Sequence, residues 1–90
     1  MSVSRSVLIS NKRGLHARAS AKFVTLASTQ PVEILVVKDG PAVTGTSIMG
    51  LMMLGAGIGS EIILRAEGWD AKEAIDALAA LVEARFHEQD

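Results

Sequence analysis

The apolar residues of this chain switch between two spacings, and that switching narrows the fold more than any other feature. Val3, Arg5, Val7 and Ile9 alternate with Ser4, Ser6, Leu8 and Ser10. A period of two marks a strand with one buried face, predicted here over Ser4 to Ile9. Ser10 to Gly14 is a loop of turn formers and charges. From Ala17 to Ser28 the chain is rich in alanine, and Phe23, Val24 and Ala27 share one helical face. Pro31 ends that helix because its ring cannot continue it. Val32 to Lys38 is β-branched and apolar, a second strand with Val32, Ile34 and Val36 on one face. Asp39-Gly40 is a hairpin turn signal. Pro41 to Gly45 then returns as a short strand, and its proline favours the sheet edge.

The second half repeats the alternation of types. Thr46-Ser47 caps a short apolar helix over Ile48 to Leu54, which Gly50 limits to about two turns. Gly55-Ala56-Gly57-Ile58-Gly59 reads as a plain turn, since the Lys-Ser/Thr that completes a phosphate-cradling loop is missing. Ser60 to Glu67 is a fourth strand, with Ile62, Leu64 and Ala66 on one face and Ile63 and Arg65 on the other. Asp70 and Glu73 form a capping box for a last helix. Its buried stripe is Ala71, Ala74, Ile75, Leu78, Leu81 and Val82. The tail from Phe86 to Asp90 is expected to fray, with His87 solvated. The order β-α-β-β-α-β-α predicts an α+β fold: a four-stranded antiparallel sheet with three helices on one face, one domain over residues 1–90.

If the helices cover Ile9, Ile34, Val36 and Leu64, then Leu8, Leu35, Val37 and Ile63 point to the open face. A contiguous aliphatic patch there would support self-association or a further partner. Scattered surface aliphatics are the plainer reading.

Composition removes several function classes. The hydrophobic share is 49% and the charged share 21%, which is globular rather than disordered. The net charge of −1 and an aromatic set of only Phe23, Trp69 and Phe86 disfavour nucleic-acid binding. There is no cysteine, which excludes disulfides and thiolate metal sites. No segment has the run of about 18 apolar residues that spans a bilayer, and none resembles a signal peptide. The expectation is a soluble cytoplasmic protein without cofactor or metal. A small enzyme fits poorly, for want of a metal-ligand cluster or a Ser/His/Asp arrangement.

One stretch carries chemistry. In Gly14-Leu15-His16-Ala17-Arg18 a turn-forming glycine precedes a histidine placed where the first helix begins. The first N–H groups of a helix lack intrahelical partners and, with the helix dipole, form an anion site. The same positive end disfavours an imidazolium and favours the neutral, nucleophilic ring. Arg18 adds a planar fork suited to phosphate oxygens. A histidine at a helix start is also a common polar cap, so the spacing alone leaves both readings open.

The element order, Gly14-Leu15-His16-Ala17-Arg18, Ala21-Lys22-Phe23-Val24, Thr46-Ser47-Ile48-Met49-Gly50-Leu51-Met52 and Ala66-Glu67-Gly68 together resemble the HPr family. These are the histidine-containing phosphocarriers of the bacterial phosphoenolpyruvate:sugar phosphotransferase system, including the nitrogen-branch NPr relatives. The resemblance runs from about Val3 to Glu83. It implies an HPr-like open-faced sandwich and phosphorylation of His16 on Nδ1 by phosphorylated enzyme I. The group then passes to an EIIA-type domain, with Arg18 steadying the phosphate. It also implies that a dedicated HPr kinase/phosphorylase modifies Ser47 in some bacteria. Partners of such proteins dock on the first two helices, which points to Ala17, Ile48, Met49 and Met52, with Leu51 and Leu54 turned inward and adaptable methionines at the contact. The alternative is a regulatory binding module of the same fold whose phosphorylation state sets partner affinity.

Two positions depart from the family pattern. Ala19 stands where proline is usual, restoring an N–H in the first helical turn. Ser20 stands where alanine is frequent, and its hydroxyl is expected to return to the carbonyl of His16.

Overall fold

The computed structural model describes residues 1–88. Strand β1 (Ser2–Leu8) leads to helix α1 (Ala17–Ser28), then β2 (Leu35–Val37), β3 (Val43–Thr44), α2 (Ile48–Met53), β4 (Glu61–Glu67) and α3 (Ala71–Glu83). A single 3₁₀ turn, Arg85–His87, follows. The strands lie in the order β1-β4-β2-β3 and every pairing is antiparallel. β4 is therefore central, with Val7 opposite Ile62 on one side and Val36 opposite Leu64 on the other. All four of these residues are buried, as the period-two pattern requires.

Helices α1 and α3 cover that face. Phe23 and Ala27 of α1 meet Ile75, Leu78 and Val82 of α3 in one core with Ile9, Ile34 and Leu51. Arg5, on the same strand face, reaches past the core to Asp76 and Glu83 of α3, each at 3.1 Å. Both pairs are half-exposed, so they orient α3 on β1 more than they stabilise it.

The structure departs from the sequence reading in its short strands and helix ends. β2 pairs only over Leu35–Val37 and β3 over Val43–Thr44. Pro41 has no N–H to donate, so the ladder of β3 starts beyond it. Ile34 stays buried and accepts from the Gly45 N–H at 2.7 Å, although it lies outside the strand. The capping box is not made. Asp70 sits at φ −93, ψ 7 and its side chain caps nothing. The non-extended backbone aims it away from the helix start. The Ala71 N–H instead donates to Gly68 O, in a turn that Gly68 makes at φ 114. Ala79 joins the buried stripe of α3, and Leu81 is only partly buried.

The largest departure is at the C-terminus. Phe86 does not fray: it is completely buried, and Glu88 turns back onto the loop before α1. His87 is exposed, as expected. Gln89 and Asp90, the rest of the expected frayed tail, lie outside the described residues.

Candidate functional site

The site is built from the loop between β1 and α1. Asn11, Gly14 and Leu15 are buried in it. Gly14 takes φ 64, a region that L side chains rarely adopt. A Cβ there would stand 2.3 Å from Ala56 O and 2.7 Å from the Gly57 Cα. The Leu15 N–H donates to the same Ala56 carbonyl at 2.9 Å. The glycine-rich segment read as a plain turn is thus the wall against which the loop is pressed. That close approach brings the chain into α1 with His16 at the N-cap.

His16 has the extended backbone of an N-cap, φ −74 and ψ −179. Its ring Nδ1 accepts from the Arg18 N–H at 3.3 Å. Its Nε2 lies 2.5 Å from Glu88 Oε2. These two contacts assign the ring. An atom that accepts from an N–H carries a lone pair, so Nδ1 is the bare nitrogen and Nε2 carries the hydrogen. The bare nitrogen points into the first turn of α1, where Ala17 and Arg18 are exposed. Among the described residues the Arg18 guanidinium has no hydrogen-bond or ion-pair partner. The bare nitrogen therefore lies at the first-turn N–H groups, where an anion is favoured, and Arg18 is exposed in the same turn.

Glu88 was not legible as a site residue. Its second oxygen, Oε1, accepts from Asn11 Nδ2 at 3.0 Å, and the same Nδ2 donates to Gly14 O at 2.8 Å. Asn11 is fully buried, and its Oδ1 has no partner among the described residues. An orphaned acceptor costs about 1–3 kcal/mol. It shows that the side chain is held by its donor end, between a carbonyl and the carboxylate. Burial alone would raise the Glu88 carboxyl. The hydrogen bonds from Asn11 and His16 and the charge of Lys22 oppose it, and the carboxyl is held below its ordinary value.

The chain reaches this position by an unusual route. Arg85, Phe86 and His87 have φ of 59, 54 and 58, a left-handed turn made without glycine. Each such residue costs roughly 1–2 kcal/mol. Burial of the Phe86 ring and a 2.7 Å bond from Lys22 Nζ to Phe86 O oppose that cost. No turn-forming residue in Arg85-Phe86-His87 signals this. The only sequence hint is an aromatic placed just beyond a helix whose stripe is otherwise complete.

The remaining predicted residues lie on α2, which packs against α1. Ser47 is its N-cap, and Ser47 Oγ accepts from the Gly50 N–H at 2.9 Å. Leu51 points inward, and Leu54 packs on the core, while Ile48, Met49 and Met52 are exposed. Met53, which the sequence reading did not single out, is exposed with them. Ala19 is buried in the first turn of α1. Ser20 Oγ donates to Leu15 O at 3.1 Å rather than to the His16 carbonyl, which takes the Ser20 N–H at 2.9 Å. The helical bond already uses the His16 carbonyl, and the hydroxyl reaches one residue further back, to the tight turn.

The chain is similar to known proteins over nearly its whole length. A family model described as the PTS HPr component phosphorylation site matches residues 3–84. The phosphocarrier protein HPr of Cupriavidus necator is 49% identical over 86 residues, covering 96% of this chain and 97% of the relative. The phosphocarrier protein NPr of Shewanella violacea is 45% identical, covering 96% and 94%. The crystal structure of HPr-C-His from Thermoanaerobacter tengcongensis superposes with a TM-score of 0.90 at 45% identity, covering 98% of this chain and 99% of that one.

Proposed function

Since the chain belongs to the HPr family of phosphotransferase-system phosphocarriers, we propose that its phosphoryl group is carried on His16 Nδ1. The observation that supports this is the ring's pair of contacts: Nδ1 holds its lone pair toward the helix N-terminus while Nε2 is tied to Glu88. The lone pair forms the N–P bond as the donor's bond to phosphorus breaks, with that electron pair leaving on the donor. The incoming phosphate replaces the weak contact from the Arg18 N–H and meets the first-turn donors and the Arg18 guanidinium. The donor is phosphorylated enzyme I and the acceptor an EIIA-type domain, in the bacterial cytoplasm. The protein is a carrier and not a catalyst: Nδ1 faces the exposed first turn of α1, a place with few contacts that holds a reactive group without trapping it.

Ile48, Met49 and Met52, with Ala17, form the docking surface for both partners. Flexible thioethers suit a surface that must fit two different proteins. Ser47 at its edge is the position at which an HPr kinase/phosphorylase would alter docking.

The test is incubation with phosphoenolpyruvate, Mg²⁺ and enzyme I, followed by intact mass. The expected result is one acid-labile phosphate, absent in His16→Ala. A folded protein that takes up no phosphate from its cognate enzyme I would overturn the carrier reading.

A further inference from the structure

We propose that Glu88 is a positioning residue for phosphoryl transfer: its carboxylate, held by Asn11, fixes the His16 ring with hydrogen on Nε2 and the lone pair on Nδ1. This inference rests on His16 being the carrier residue.

The three groups form a line. Asn11 Nδ2 donates to Glu88 Oε1 at 3.0 Å, and Glu88 Oε2 faces His16 Nε2 at 2.5 Å. The far side of the ring meets the Arg18 N–H. Turning the ring over would put carbons at both contacts, and the other tautomer would place a lone pair against a carboxylate and an N–H against an N–H. A nucleophile oriented by a hydrogen-bonded third group is a general device of covalent chemistry.

Shielding supports the assignment. The Glu88 side chain is only 9% exposed and that of His16 22%. The carboxylate is thus withdrawn from water, and its two oxygens are spent on two donors. When the Nδ1 lone pair forms the N–P bond, Nε2 keeps its proton and the ring acquires positive charge. That charge develops against the Glu88 carboxylate, with no proton needing to leave.

The geometry also explains the strained turn. Arg85, Phe86 and His87 adopt positive φ without glycine, and the turn delivers Glu88 to the ring. Lys22 and the Phe86 ring secure it from two directions.

The experiment uses the full chain. In ¹⁵N-labelled protein, His16 is expected to show a resolved Nε2–H signal protected from exchange. Glu88→Gln is nearly isosteric, but offers one acceptor oxygen to two donors. It is expected to lose the signal and to slow His16 phosphorylation by enzyme I about tenfold or more. Glu88→Ala is expected to slow equally, and added formate to restore part of the rate by supplying the carboxylate. Glu88→Gln reacting at the wild-type rate would overturn the proposal. So would a slowed Glu88→Ala that formate does not rescue, because the tail would then act through packing alone. If wild-type protein takes no phosphate on His16, the carrier reading fails instead. The Nε2–H signal then still reports on the hydrogen bond itself.

Discussion

At the scale of single residues the site depends on one glycine that has no side chain to contribute. Gly14 combines a positive φ with a backbone approach that leaves no room for a methyl group. Gly14→Ala is expected to cost at least about 2 kcal/mol, from strain of roughly 1–2 kcal/mol together with displacement of the Ala56 wall. Urea unfolding would show it, and an unchanged midpoint would refute the account. What could be read in advance at this scale was the residue proposed to carry the phosphoryl group. His16 and Arg18 carry their chemistry in their type and in their distance from a helix start. What could not be read were the residues that hold the His16 ring from its other side. Asn11 looks like any loop former, and Glu88 lies 72 positions from His16, so local pattern does not connect them. The helix start acts on His16 from the Nδ1 side alone. The carboxylate on the other ring nitrogen comes from the far end of the fold.

At the scale of elements, legibility followed the strength of the period. α1 runs from Ala17 to Ser28 as the alanine-rich pattern indicates, and β4 misses the expected start by one residue. β2 and β3 shrink because an apolar run states burial, while ladder pairing also needs a partner with a free N–H. The 3₁₀ turn at Arg85–His87 left no pattern at all, since its conformation is imposed by the packing of Phe86. α2 allows a test of its own. Ser47 caps it through Oγ, and aspartate caps helices as well as serine does. Ser47→Asp therefore changes charge at the edge of the Ile48, Met49 and Met52 surface while keeping the helix. It is expected to lower the rate of His16 phosphorylation by enzyme I at least about threefold under limiting donor, through weaker docking. Equal rates would remove Ser47 as a control point, and equal melting temperatures would establish that the helix was intact.

At the scale of the molecule, the sheet has one face under the helices and one in solvent. The solvent face carries the aliphatic residues singled out from the sequence. The strand register makes them neighbours: Ile63 lies opposite Val37, Leu35 follows on the same strand, and Leu8 is diagonal to Ile63 across β1 and β4. They form one oblique strip and are not scattered. Around the strip lie Ser4, Ser6, Glu61 and Arg65. Leu8 is 56% exposed and Ile63 38%, with Leu35 and Val37 less so. Burying the strip would remove no more than roughly a few hundred Å² from water, against ~800 Å² per partner in a standard stable interface. The charged and hydroxyl groups beside it would lose water without assigned partners, which opposes close contact. The strip therefore supports weak, transient association at most. Sedimentation equilibrium is expected to return a one-chain mass of 9.5 kDa, unchanged by concentration in the micromolar range and unaffected by Leu8→Ser with Ile63→Ser. A mass that rises with concentration in wild type and falls back in the double variant would instead make this face an interface, on the side of the sheet opposite the helices that carry His16 and Ser47.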